Sequence, residues 1–160
     1  MPKLRESHRL KQFSYLGPLA AHLTFVTRLR QSLFEDPDLA SICVDTLSAT
    51  AEKVSATIHA YCVMPDHVHV LVEISEGASL QEFVHQFKQL AGFRVKRKIG
   101  TVAWQISYYD HILRTEEVLG DIAHYIWNNP VKADLVANWF DYTFSGPRAL
   151  MQDELGKRLM

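Results

Sequence analysis

Two adjacent segments decide the fold: Ala56-Thr-Ile-His-Ala-Tyr-Cys-Val-Met64 and His67-Val-His-Val-Leu-Val-Glu-Ile74, separated only by Pro65-Asp66. Both are short and rich in β-branched and aromatic residues, a composition typical of strands. Proline and aspartate favour a turn between them. The two segments therefore predict an antiparallel β-hairpin.

The sequence on either side of this hairpin predicts a β-α-β-β-α-β-α order. A strand precedes the hairpin at 21–28, and Asp36-Pro37 opens a helical pattern that runs to about Lys53. After the hairpin come a helix capped by Ser79 that ends near Lys98, a short strand near 107–114, and a helix over about 116–128. This order predicts an α+β fold, a ferredoxin-like sandwich with helices on one face of an antiparallel sheet, plus a C-terminal tyrosine-bearing helix.

Length and composition predict one domain over residues 1–160. The chain is 48% hydrophobic and 22% charged, which favours a single core at about 20–147 with N- and C-terminal extensions. No apolar run is long enough to cross a bilayer, so we expect no membrane partner. Cys43 and Cys62 have no zinc or redox spacing and are interpreted as small buried hydrophobes.

Positive charge is concentrated in two segments, although the net charge is only −1 and the pI is about 6.7. The near-neutral balance argues against a protein that coats duplex DNA. One basic segment has five cations and no acid, namely Lys88, Arg94, Lys96, Arg97 and Lys98; the other contains Lys3, Arg5, Arg9 and Lys11. A solvated helix face and a loose N-terminus are the commoner meaning of such runs.

The second strand of the hairpin places two imidazoles on one face. Because side chains alternate along a strand, His67 and His69 project to the same side, with backbones roughly 7 Å apart. Both can then donate a nitrogen to one divalent cation. Two histidines that simply face water are the commoner outcome of an H-x-H pattern, but the tight turn before His67 favours a preorganised site.

The last predicted helix carries Tyr125, four residues before Asn129, so the two share one helix face. A tyrosine at the edge of an apolar stripe is most often a core residue whose hydroxyl reaches water. Beside a two-histidine metal site, however, a phenol could attack a phosphate made electrophilic by the cation. The Asn129 amide oxygen could complete the ligands of Mg²⁺ or Mn²⁺.

Four motifs occur in a specific order: Tyr61-Cys-Val-Met-Pro-Asp-His67-Val-His69-Val-Leu-Val, Trp104-Gln105, Tyr108-Tyr-Asp-His-Ile-Leu-Arg114 and Tyr125-Ile-Trp-Asn-Asn129-Pro-Val-Lys-Ala133. Together they closely resemble the HUH insertion-sequence transposases with a single catalytic tyrosine. They are most similar to the branch of REP-associated tyrosine transposases. The resemblance spans roughly residues 22–147.

The resemblance implies that His67 and His69 hold a divalent metal ion, Mg or Mn, with Asn129 as third ligand. It implies that Tyr125 attacks a scissile phosphate in single-stranded DNA, giving a 5′-phosphotyrosine link and a free 3′-hydroxyl, and that the reverse attack joins strands. The expected partners are hairpin ends of single-stranded DNA, with a possible homodimer, in a cytoplasmic, nucleoid-associated setting. The cations between Lys88 and Lys98 and those of the N-terminus are the expected DNA-backbone contacts.

Two features depart from the family pattern. Asp134 stands where the family commonly has glycine, which puts local DNA affinity in question, and the pI is low for a hairpin binder. Three alternatives stay open: a domesticated protein that binds hairpin nucleic acid without strand transfer, a metal phosphoesterase in which Tyr125 has no role, and a dimeric ferredoxin-like ligand-binding module.

Overall fold

The computed structural model describes residues 17–114 and 117–159, with side chains up to 157. The predicted N-terminal cations Lys3, Arg5, Arg9 and Lys11 lie outside the described residues. The helices and strands are, in chain order, β1 (Leu19–Val26), α1 (Pro37–Val54), β2 (Ala56–Met64), β3 (His67–Ile74), α2 (Leu80–Ile99), β4 (Tyr109–Ile112), α3 (Leu119–Trp127), α4 (Asn129–Lys132), β5 (Ser145–Gly146) and α5 (Arg148–Leu159).

The strands form one antiparallel sheet in the order β4-β1-β3-β2-β5. The first four strands have the arrangement of a ferredoxin-like sandwich, so the predicted fold class is confirmed. The hairpin closes with Met64 opposite His67. The centre of the sheet is β3, which pairs with β1 on one side and β2 on the other.

The two faces of the sheet are covered by different helices. On what we call the helix face, α1 and α2 pack against the aliphatic side chains of β3, namely Val68, Val70, Val72 and Ile74. On the opposite side, the histidine face, α3 contributes Ala123, Ile126 and Trp127 to a second cluster that includes Leu71. The tyrosine-bearing helix therefore lies on the side to which His67 and His69 project.

Local sequence explains where the elements begin and end. The Asp36 carboxylate accepts a hydrogen bond from the Asp38 backbone N–H at the start of α1, and Ser79 caps α2 in the same way. Gly100 ends α2 in a left-handed conformation with φ of 77°. The described residues include no helix both long enough and apolar enough to span a membrane.

The first strand ends earlier than predicted, at Val26, because Arg28–Arg30 turns into a short 3₁₀ segment in which Leu29 has a left-handed φ of 57°. The fourth strand is shorter than predicted, covering only Tyr109–Ile112. Both cysteines are buried and unpaired by disulfide, as expected of small hydrophobes.

Candidate active site

The hairpin turn fixes the first histidine. The Nδ1 atom of His67 lies 2.6 Å from Oδ1 of Asp66, and the other carboxylate oxygen of Asp66 lies 3.4 Å from the Arg30 guanidinium. A carboxylate acceptor keeps the hydrogen on Nδ1 and leaves the lone pair on Nε2. His67 is thereby prepared to donate Nε2 to a cation.

The second histidine is fixed by the neighbouring strand. His69 is buried, and its Nδ1 atom lies 3.1 Å from the Thr24 hydroxyl and 3.0 Å from Nε2 of His22. Burial, together with the nearby His22 and His67, holds the pKa of His69 well below its usual value, so the ring is neutral. Both contacts involve Nδ1, so Nε2 is the nitrogen suited to a cation.

The two rings stand close and perpendicular, with centroids 4.8 Å apart and planes at 88°. Within residues 17–114 and 117–159, no group of three or more His, Cys, Asp or Glu side chains is placed to hold a metal ion. Two imidazoles fit part of a divalent site, and an amide, water or phosphate oxygen would have to supply the remaining ligands.

Tyr125 projects from α3 towards these histidines. Its ring centroid lies 6.3 Å from that of His69 and 5.9 Å from that of His22, and 46% of the residue is exposed. The Lys132 ammonium stands 4.5 Å from the centre of the Tyr125 ring. A solvent-accessible phenol, two fixed imidazoles and a cation thus meet at one place on the histidine face.

Asn129 lies beside Tyr125, but on a new helical segment. Helix α3 ends at Trp127, Asn128 caps it, and Asn129 begins α4. The Asn129 amide nitrogen donates to the backbone oxygen of Tyr125 at 3.0 Å, which leaves the amide oxygen as the atom suited to a cation. The structure therefore brings Asn129 close to Tyr125 and orients its amide through the nitrogen.

The five expected DNA contacts of α2 lie on the other layer of the molecule. The Lys88 ammonium donates to the backbone oxygens of Gln105 and Ile106, and Arg94 donates to the Thr46 hydroxyl of α1. Lys96, Arg97 and Lys98 are exposed at the C-terminal end of α2. The helix packs on the helix face, so these cations do not converge with Tyr125.

Sequence reasoning overlooked His22, Thr24 and Lys132 in the site. The signal for the first two was present, because His22 and Thr24 alternate with the buried Leu23 along β1 and so share one face. The register that places Thr24 opposite His69 could not be read from the sequence. Asp134 is exposed and has a left-handed φ of 59°, a conformation that glycine adopts freely.

Comparison with known proteins identifies the family. The family model for IS200-like transposases matches residues 16–129. The chain belongs to the IS200-like transposase family. It is 28% identical over 93 residues to a REP-associated tyrosine transposase of Escherichia coli, covering 55% of this chain and 52% of that protein.

A second relative, from Haemophilus influenzae and provisionally named a REP-associated tyrosine transposase, is 30% identical over 95 residues, covering 50% of this chain and 54% of that protein. The chain thus spans about half the length of these curated relatives. A solved REP-associated tyrosine transposase bound to a REP hairpin has the same fold, with a TM-score of 0.70 at 21% identity, covering 86% of this chain and 81% of that one.

Proposed function

We propose that this chain is a metal-dependent single-strand DNA transposase in which Tyr125 attacks a scissile phosphate. The observation that carries the proposal is the meeting of an exposed phenol with two histidines whose Nδ1 atoms are occupied and whose Nε2 atoms remain for a cation. Membership of the IS200-like transposase family supports it.

In the proposed reaction, His67 and His69 would hold a Mg²⁺ or Mn²⁺ ion, and the amide oxygen of Asn129 would be a third ligand. The bound cation would polarise the phosphate and offset its charge. The Tyr125 oxygen then forms a bond to phosphorus while the bond to the 3′ oxygen breaks. The phenolic proton is released, and the leaving 3′ oxygen takes up a proton to become a hydroxyl. The product is a 5′-phosphotyrosine ester; attack on its phosphorus by a 3′-hydroxyl would join strands, break the bond to the Tyr125 oxygen and return the proton to the phenol.

The charges around the nucleophile suit this chemistry. Lys132 lies next to the Tyr125 ring, where a cation can attract the substrate phosphate and stabilise the charge that develops on it. His69 is kept neutral by burial and is therefore a ligand without needing to lose a proton. These features distinguish the site from two histidines that merely face solvent.

We propose hairpin ends of single-stranded DNA as the partner, which would place the protein with the nucleoid. The related solved transposase is described as bound to a REP hairpin, which supports this substrate class. We also propose a homodimer. The homodimer is supported by the position of β4, which lies at one edge of the sheet formed by the described residues. An edge strand can pair with the same strand of a second copy.

A covalent-attachment assay tests the function. Labelled single-stranded hairpin DNA from the chain's own locus is incubated with Mg²⁺ or Mn²⁺ and the protein, then separated under denaturing conditions. We expect a labelled protein band with the wild type and with Tyr61→Phe, whose ring lies on the helix face. The band is lost in Tyr125→Phe, in His67→Ala and with EDTA.

The same assay separates the alternatives. DNA binding without any covalent band supports a domesticated binding protein and contradicts the proposed transposase. Phosphate-ester hydrolysis that persists in Tyr125→Phe assigns the chemistry to the metal alone. Mass photometry of Tyr125→Phe with and without the hairpin tests the homodimer, which a single-copy mass in both samples would contradict.

A further inference from the structure

A surface groove lies at the end of the sheet at which β3 begins with His67. The turn after β1 and the segment that leads from α2 to β4 border a groove of about 520 Å³, lined by Arg28, Leu29, Val102, Trp104, Gln105 and Ile106. The two walls are tied together by backbone hydrogen bonds, from Arg28 N–H to the Ala103 oxygen and from Gln105 N–H to the Val26 oxygen. The groove is therefore part of the sheet's framework.

Its rim is unusually apolar for a surface. Ile106 is 98% exposed, Leu29 is 79% exposed and Val102 is 47% exposed. Isolated apolar side chains on a surface are ordinary, but three around one groove form a patch of the kind that marks a binding surface.

The exposure of Leu29 is fixed by the backbone. Leu29 and Arg30 both have left-handed φ angles, of 57° and 53°, which non-glycine residues rarely adopt. The Thr27 hydroxyl, 2.7 Å from the Gln31 oxygen and 3.0 Å from the Asp66 oxygen, braces this turn. Backbone strain that surrounding contacts maintain is concentrated at functional sites.

The turn that lines the groove also contacts the support of the candidate active site. Arg30, in the same turn as Leu29, pairs with Asp66, and Asp66 holds the Nδ1 atom of His67. Along the chain, α2 ends at Ile99, three residues before Val102, and its last turn carries the exposed cations Lys96, Arg97 and Lys98. Single-stranded DNA has phosphates along its backbone and the apolar faces of its bases between them. It can therefore contact both the cations and the apolar side chains of this region.

We propose that this groove binds an unpaired base of single-stranded DNA next to the cut, held between Leu29 and Ile106. The inference rests on the proposed function and adds a base-binding subsite to it. Aliphatic side chains can insert between bases and hold them unstacked. Arg28 and the cations at the end of α2 contact the adjoining phosphates, and the Gln105 amide is available to the base edge.

A second copy of the chain fits the groove less well. A two-fold contact centred on Leu29 and Ile106 would bring Arg28, which lines the groove, close to its own equivalent, because such a contact is self-complementary. Like charges that face each other across an interface are unfavourable. The same cation is favourable beside a polyanion.

An abasic scan tests the subsite. The chain's own hairpin, with unpaired flanks, is made as a set of fluorescent oligonucleotides, each lacking one flanking base, and affinities are measured by anisotropy with Ca²⁺ in place of Mg²⁺. In the wild type, we expect loss of one or two adjacent bases to weaken binding roughly five-fold or more. In Ile106→Ser and Leu29→Ser the intact DNA binds more weakly, and the same abasic positions change the affinity less than about two-fold.

Leu135→Ser is the control, because Leu135 is also exposed, at 46%, but lies outside the groove. The subsite is overturned if the abasic profiles of Ile106→Ser and Leu29→Ser match that of the wild type. It is also overturned if these variants change from dimer to monomer while their affinity for DNA is unaltered. The covalent-attachment assay keeps the two proposals apart. A wild-type covalent band with unaltered abasic profiles overturns the subsite alone, whereas no DNA binding at all overturns both.

Discussion

The two faces of β3 differ in what covers them and in the side chains that they carry. On the helix face, Val68, Val70, Val72 and Ile74 are wholly buried beneath α1 and α2. On the histidine face, His67 and His69 stand one residue away from these core positions, and the covering helix α3 leaves Tyr125 partly exposed. Side chains alternate between the faces of a strand, so two adjacent residues, about 3.3 Å apart along β3, lie in the two different environments.

Because of this difference, substitutions on the two faces should affect different properties of the protein. Aliphatic side chains on the helix face contribute through burial and close packing, so their removal lowers the free energy of unfolding. Polar side chains on the histidine face are held by specific hydrogen bonds, so their removal should change metal binding or catalysis with a smaller effect on stability.

The largest effect on stability is expected at Phe87 of α2. Phe87 is fully buried and packs against Phe25 and Trp104, with ring centroids 4.9 Å and 5.7 Å away. Phe87→Ala should lower the free energy of unfolding by about 4 kcal/mol, measured by urea denaturation. Phe93→Ala, on the exposed side of the same helix, should change it by less than about 0.5 kcal/mol. Equal losses in the two variants would contradict the assigned core.

The neighbours His69 and Val70 give the sharpest contrast between the faces. His69→Ala should reduce the rate of covalent attachment to DNA roughly 100-fold or more, because it removes a proposed metal ligand. Val70→Ala should lower the free energy of unfolding by about 2 kcal/mol while the rate at 25 °C stays within about two-fold of the wild type. The assigned difference between the two faces is contradicted if Val70→Ala loses covalent attachment to DNA and His69→Ala retains it.

Acid should destabilise the histidine face specifically. Burial, aided by the nearby charge of His111, lowers the pKa of His22 to about 4 from an ordinary 6.5. The unfolded chain therefore binds this proton first, and stability is lost as the pH falls from about 6.5 to about 4. Between pH 7 and 4.5 the loss from His22 is about 2 kcal/mol.

Urea denaturation at several pH values measures this loss. We expect a smaller loss in His22→Asn and a wild-type loss in His85→Gln, which removes an exposed histidine of α2. A pH profile of His22→Asn identical to that of the wild type would contradict the assignment.

The smallest of these effects is expected at the support of His67. Asp66→Ala removes the acceptor for the Nδ1 hydrogen and should weaken Mn²⁺ binding about ten-fold, measured by calorimetry. Asp66→Asn should lose less, because an amide oxygen can still accept that hydrogen bond. Glu73→Ala, at the far end of β3, is the control. Equal affinities in all four proteins would show that Asp66 does not orient His67 for the proposed metal binding.

Much of the fold follows from local sequence. The hairpin strands at 56–64 and 67–74 have the predicted bounds, because β-branched alternation and the Pro65-Asp66 turn act over a few residues. The end of β1 does not follow, since the strained turn at Leu29 is maintained by Thr27 and Asp66, and Asp66 is distant in sequence. Tertiary contacts of this kind leave no local pattern.

The site divides in the same way. The pairing of His67 with His69 follows from strand alternation. Helix periodicity predicts that Tyr125 and Asn129 are close, and they are, although Asn129 begins α4 and is held to the Tyr125 backbone oxygen by its amide. The contacts of His22 and Thr24 with His69 depend on the β1–β3 register, which the sequence does not specify. That α3 lies across the histidine face is also a tertiary result, produced by packing of Trp127 and Ile126 against Leu71.

The central claim is that Tyr125 becomes joined to DNA, and mass spectrometry of the covalent product tests it most directly. The wild-type protein is incubated with hairpin DNA and Mn²⁺, the attached strand is digested with nuclease, and the protein is cleaved into peptides. The account predicts a nucleotide-sized mass increment on the peptide that contains Tyr125, localised to that side chain and absent with EDTA. An adduct on any other residue, or none under conditions in which the DNA is cut, would contradict it.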